Sequence, residues 1–204
     1  MFLSEKNLIY TQMNLEHRLI SENLFENKNK KKFESYSKII VYKSGNSVFR
    51  FYRKDLSPNI ISQIDSFSYE FICQNTEQVA KLLELDNQTW HGLSYVFDQL
   101  PFEPLHDVKF IDNEFVILSD NKIVSKAFSA WENEQSAEPI VETDELFRRN
   151  GYATSVILAW AKYQLQNNKI PFYSHVLSNT SSQNLAIKLN LRLFCEAISF
   201  GSYP

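Results

Sequence analysis

Glycine is scarce in this sequence. There are four, Gly45, Gly92, Gly151 and Gly201, in 204 residues, where average usage would give about 14. In so glycine-poor a chain, each one marks a position where a side chain would do harm. Cysteine is scarce too: Cys73 and Cys195 are the only two. Two thiols do not build a disulfide framework, and neither stands in a metal-ligand spacing. The expectation is a pair of reduced thiols in a cytoplasmic protein with no metal. Long apolar runs are missing, including in Met1-Phe2-Leu3-Ser4-Glu5-Lys6, so neither a signal peptide nor a membrane span is expected. Positive charge is not in surplus either. The formal net charge is -3, which argues against a nucleic-acid partner. The one basic run, Lys28-Asn29-Lys30-Lys31-Lys32, reads as a solvated loop or helix end.

What the chain does have is core material. Sixteen Phe and ten Tyr, with 44% hydrophobic and 22% charged residues, are enough to bury a globular core at this length. The polar segment around residues 15–25 reads as helical. Residues 38–53 read as a hairpin turning at Ser44-Gly45-Asn46. Ser57-Pro58 is a helix start, with Ser as cap and Pro at the first helical position. Tyr69-Glu70-Phe71-Ile72-Cys73 reads as a short strand. Asn75 with Gln78 three residues on reads as the cap of another helix. Pro101 and Pro104 mark a soft boundary near residue 105, dividing an N-terminal α/β region (1–105) from a second domain (106–204).

That second domain is the more regular. Residues 115–118 and 123–131 read as strands joined by the turn Ser119-Asp120-Asn121-Lys122, and residues 139–143 as a third. A long helix follows over about 151–167, with Ala153, Val156, Ile157, Trp160 and Ala161 on one face. A strand (172–177), a short helix (181–189) and a final strand pair or bent strand (191–202) complete a mixed sheet with helices on its faces.

The chemistry is expected between the third strand and the long helix, at Arg148-Arg149-Asn150-Gly151-Tyr152-Ala153-Thr154. A helix start offers unpaired N–H groups and a positive dipole end, a ready site for a phosphate pair. Gly151 lets the backbone approach an anion, Ala153 stays small, Arg148 and Arg149 add charge, and Thr154 can add a hydroxyl. Taken alone, the segment reads first as a loop glycine with solvated arginines, because the match is short and common.

Its surroundings sharpen it. Across 111–200 the chain resembles the GNAT superfamily of N-acetyltransferases. The family's acetyl-CoA signature, Gln/Arg-x-x-Gly-x-Gly/Ala, matches Arg148-x-x-Gly151-x-Ala153 after a strand ending Val141-Glu142-Thr143. A second signature, Asn-x-x-Ser and then a helix ending Lys-Leu-Gly, matches Asn179-x-x-Ser182 and Lys188-Leu189, with Asn190 in place of the glycine. The resemblance implies an α/β (α+β) fold: a mixed, mostly antiparallel sheet flanked by helices, with an N-terminal α/β extension. It implies acetyl-CoA as cosubstrate, held by the backbone of Val141 and Thr143, by the 148–154 segment and by Asn179 and Ser182. It implies transfer of the acetyl group to an amine. The family's common Tyr, often the general acid, falls at Ala186, so no acid is inherited there.

For the base and acid the sequence offers Glu142, Glu138, His175 and Tyr173. Each has an ordinary structural reading beside its catalytic one: an exposed strand carboxylate, a satisfied histidine, a core tyrosine. The acceptor is expected to be a small-molecule amine. A peptide or protein amine, and a non-catalytic acetyl-CoA-binding module, are the alternatives. No membrane partner is expected, and a homodimer is compatible with the sequence.

Overall fold

The computed structural model describes residues 3–28, 36–86 and 89–202. Residues 29–32, most of the lysine run, lie outside them. The chain forms two compact units, one of residues 3–94 with 194–204, the other of residues 95–193. The sequence alone placed a division near residue 105; in the structure β5 (Thr89–Val96) runs from the first unit into the second, and β11 (Arg192–Ser202) runs back.

In the first unit, α1 (Glu5–Glu16) starts at Ser4, whose hydroxyl accepts from the Asn7 N–H. It buries Leu8, Ile9, Met13 and Leu15. Residues 15–25 are therefore not the helix expected from their polarity. The helix ends at Glu16, His17 turns extended (φ -126°), and two short strands follow, β1 (His17–Leu19) and β2 (Leu24–Asn27). The hairpin of β3 (Tyr36–Ser44) and β4 (Ser47–Arg53) forms as expected, with Gly45 at φ +56° in its turn. The strand order is β1-β2-β4-β3-β11, antiparallel except between β2 and β4. Its core joins Ile39, Val41, Tyr52, Ile198 and Phe200 to residues of three short helices, α2 (Pro58–Asp65), α3 (Tyr69–Gln74) and α4 (Thr76–Leu82).

Helix α3 overturns the expected strand at residues 69–73. β-Favouring side chains pointed to a strand, but Ser68 accepts from the Phe71 N–H at 3.1 Å and starts a helix. Tyr69 and Ile72, three apart, then face the core. Asn75 precedes α4 as expected but does not cap it: its amide donates back to the Phe71 carbonyl at 2.9 Å.

In the second unit the strand order is β10-β9-β8-β7-β6: β6 (Lys109–Ile111), β7 (Glu114–Ser119), β8 (Lys122–Glu132), β9 (Ser136–Thr143) and β10 (Ile170–Val176). The two hairpins turn on Asp112-Asn113 and Asp120-Asn121, all four at φ between +49° and +65°, the left-handed pair a tight hairpin turn demands and Asx residues tolerate. One long helix, α5 (Tyr152–Gln166), packs on β7, β8, β9 and β10. Its Val156, Ile157, Trp160 and Ala161 are buried as their 3.6-residue spacing foretold. The Trp160 indole donates to the Ser129 hydroxyl at 3.0 Å, so the largest buried side chain is satisfied. A short helix, α6 (Thr180–Lys188), ends at Asn190 in the left-handed conformation (φ +50°), as a glycine substitute there requires. No described helix is long and apolar enough to cross a membrane. The whole is the mixed, mostly antiparallel α/β fold expected.

Candidate functional site

All the residues singled out as site candidates lie in the second unit, and two features of its backbone arrange them. The first is the separation of β9 from β10. They pair in parallel only at Ile170 with Ser136 and Pro171 with Ala137. Beyond that point β9 stays registered to β8, through Val141 opposite Ala127 and Thr143 opposite Ser125, and among the described residues its other edge has no registered partner. A strand edge of this kind offers N–H and C=O groups to an extended ligand.

The second feature is the start of α5. Helices α1, α2, α3 and α6 each begin with a Ser or Asn side chain accepting a first-turn N–H. α5 begins at Gly151, which supplies no side-chain cap and sits at φ +80°. Arg149 is left-handed too, at φ +66°. Left-handed residues spaced this way turn successive N–H groups into a concave anion site, and the uncapped first turn adds its own donors and dipole.

Around this loop, Arg148 is exposed and pairs with Glu145 at 3.3 Å. Asn150 fixes the loop through its side-chain amide to the Phe147 carbonyl. Tyr152 stacks on Phe147 and meets His106 edge-on. Ala153 is half-buried and Thr154 buried. Sequence reasoning missed two supports. His106 Nε2 donates to the Asn150 carbonyl at 2.8 Å and lies 3.4 Å from where a Gly151 Cβ would be. Ser155 Oγ accepts the backbone N–H groups of Leu105 and His106 at 3.2 and 3.3 Å. A stretch 45 residues upstream carries no local signal of this role. Asn179 caps α6, accepting from the Ser182 N–H at 3.0 Å.

The four candidates for acid and base separate by environment. Glu142 is exposed on β9, with Lys126 3.5 Å away. Glu138 is buried and accepts from the Ser174 hydroxyl. Tyr173 and His175 alternate with Ser174 and so share one face of β10. Burial pushes the Tyr173 pKa up, with the Ser182 hydroxyl pulling it the other way and Tyr95 and Glu138 adding to the rise. The His175 ring stacks on Tyr95, 5.5 Å between centroids. Its Nδ1 lies 2.9 Å from the Val176 carbonyl. A carbonyl can only accept, so Nδ1 is the donor, and in the neutral ring this tautomer leaves the lone pair on Nε2. That Nε2 is buried and has no partner among the described residues, which sets His175 apart from a satisfied core histidine.

Comparison with known proteins bears on the family and the fold. The family model described as GNAT acetyltransferase matches residues 22–196, so the chain belongs to the GNAT acetyltransferase family. It is thus an acyltransferase by family. Among solved structures it is similar to a GCN5-related N-acetyltransferase-like protein from Streptococcus suis, at 14% identity and TM-score 0.50, covering 82% of this chain and 88% of that one. It is also similar to a GNAT-family acetyltransferase from Colwellia psychrerythraea, at 10% identity and TM-score 0.50, covering 74% and 75%. A putative GNAT-family acetyltransferase from Novosphingobium aromaticivorans matches at 13% identity and TM-score 0.47, covering 55% of this chain and 64% of that one, just under two thirds of its length. These likenesses concern the fold. No curated protein matches the chain significantly.

Proposed function

We propose that the protein is an N-acetyltransferase that moves the acetyl group of acetyl-CoA onto the primary amine of a small molecule. The observation that carries this reading is the start of α5: among the described residues it is the one helix of eight or more residues without a side-chain cap, and it begins at a left-handed glycine two and three residues after Arg149 and Arg148. The residues present fit the cosubstrate. The first-turn N–H groups, with Arg148 and Arg149, would hold its pyrophosphate. The partnerless edge of β9 around Val141 and Thr143 would bond the amides of its pantetheine arm. Asn179 spends its side chain on capping α6 and the Ser182 hydroxyl bonds Tyr173, so this pair would meet the ligand by exchanging those bonds.

Acetyl-CoA supplies an activated acyl carbon, and the chain must supply a neutral amine. His175 Nε2, with its lone pair fixed by the Nδ1 bond to Val176, takes the proton of the incoming ammonium, directly or through a water. Burial keeps Tyr173 protonated, so it serves as a hydrogen-bond donor rather than as a base. Glu142, exposed and beside Lys126, is the weaker choice for the base, and Glu138 holds Ser174.

The cofactor half is tested by calorimetric titration of acetyl-CoA into the wild type and Gly151→Glu. A side chain and a negative charge in the loop should abolish heat of binding while circular dichroism stays unchanged. Equal affinity in the two proteins would show that the pyrophosphate lies elsewhere.

A further inference from the structure

The first unit holds a side-chain cluster that acetyl transfer does not use. Cys73 on α3, His91 on β5 and Glu196 on β11 come together although they are 18 and 105 residues apart in sequence (Cys73 to His91, His91 to Glu196). Cys73 Sγ lies 3.8 Å from His91 Nε2, which lies 2.6 Å from Glu196 Oε1. All three ligand atoms fall within 4.8 Å of one another.

Such a trio has two chemical readings, a nucleophilic relay or a cation chelate. A relay needs both imidazole nitrogens, one bonded to the carboxylate and the other to the thiol. Here the same nitrogen, Nε2, faces both the sulfur and the carboxylate oxygen. Three donor atoms gathered this closely are what a chelate requires. A second observation is independent of those distances. The Tyr69 side chain is 4% exposed and its hydroxyl makes no hydrogen bond of good geometry among the described residues. That hydroxyl nonetheless lies close enough to Cys73 and Glu196 to feel both electrostatically. Within hydrogen-bonding reach of both groups, this buried hydroxyl is placed to meet a water on an ion that they hold.

We propose that Cys73, His91 and Glu196 bind one zinc-type divalent cation, with a water in the fourth position bonded to the Tyr69 hydroxyl. Thiolate plus imidazole selects a borderline-soft cation over magnesium or calcium. A tetrahedral site with zinc-like bond lengths separates S and N by about 3.5 Å and N and O by about 3.4 Å. The sulfur and nitrogen, 3.8 Å apart, need to close by roughly 0.3 Å, and the carboxylate needs to withdraw by roughly 0.8 Å. The balance of the step is simple. The thiol releases its proton to solvent, the imidazole proton moves to Nδ1, and the thiolate and carboxylate together neutralise the dication. Lys43, whose charge reaches Cys73, is engaged with Glu70 and lies over the Tyr69 ring. The bound ion would clamp α3 to β5 and β11 through Cys73, His91 and Glu196, three residues of the first unit.

Cobalt(II) provides the test, using the full chain and no acetyl-CoA, so the outcome is independent of the transferase reading. The reduced wild-type protein should bind one equivalent of cobalt with a thiolate-to-metal charge-transfer band, and zinc should displace it at one equivalent. Cys73→Ser should lose the band and His91→Gln should weaken cobalt binding at least tenfold, while circular dichroism and the melt of the metal-free proteins show both variants folded. The wild-type spectrum decides the matter even if a variant fails to fold. No charge-transfer band in the wild type at stoichiometric cobalt, or a band that persists in Cys73→Ser, overturns the proposal.

Discussion

Replacing His175 with Gln removes a proton acceptor while nearly preserving shape. In the wild type the ring is held by stacking on Tyr95 and by Nδ1 donating to the Val176 carbonyl. Those contacts leave a bare lone pair on a buried Nε2. The Gln amide can imitate the bond to Val176 but cannot take up a proton at catalytic pH. A positioned base contributes about 10²–10⁴-fold to rate, which is roughly 2.7–5.4 kcal/mol of transition-state stabilisation. Because His175 lies on β10 and the anion loop on the start of α5, acetyl-CoA affinity should stay within a factor of about 2, under roughly 0.5 kcal/mol. Free thiol released from acetyl-CoA in the presence of an amine gives kcat and KM separately, and calorimetry gives the cosubstrate affinity. The reasoning fails if His175→Gln turns over at the wild-type rate, or if its only defect is weaker acetyl-CoA binding.

Three further outcomes follow from the same geometry. Gly151→Ala forces a left-handed φ on a residue with a Cβ, at a cost of about 1–2 kcal/mol. The loop is accessible enough to relax, so acetyl-CoA binding should weaken roughly 5–30-fold by calorimetry, and Gly151→Asn should lose less because Asn tolerates that conformation. Burial lowers the His17 pKa to about 4. The unfolded chain therefore binds its proton first, and stability falls as pH drops from about 6.5 to about 4, by about 3 kcal/mol in all. Urea melts should show this slope in the wild type and a flatter one in His17→Gln; parallel curves would refute it. Ser129→Ala strands the buried Trp160 indole N–H and should cost about 1–3 kcal/mol in the same assay.

What the sequence revealed depended on how local each signal was. Gly151, Asn190 and Asp120-Asn121 were identifiable because a single residue type betrays a left-handed backbone, and all three adopt it. The face of α5 was identifiable because its spacing repeats over fifteen residues. Helix α3 was not, because six residues are too few for a period and the Ser68 cap outweighed β-favouring side chains. The role of His106 under the loop was invisible because its partner lies 44 residues downstream. The Cys73–His91–Glu196 cluster was invisible for the same reason: three separate elements bring it together, and no spacing along the chain announces it. Among the acid–base candidates, sequence alone ranked Glu142 beside His175, and only burial and hydrogen bonding tell an exposed carboxylate near Lys126 from a buried imidazole with a bare nitrogen.

The central claim is that this chain moves an acetyl group from acetyl-CoA to an amine nitrogen. Its most direct test is mass spectrometry of a panel of small amines incubated with the protein and isotope-labelled acetyl-CoA. Label should appear on a primary amine in amounts that rise with protein concentration and with time. Unlabelled amines across the whole panel, from a protein that also shows no heat of binding with acetyl-CoA, would contradict it.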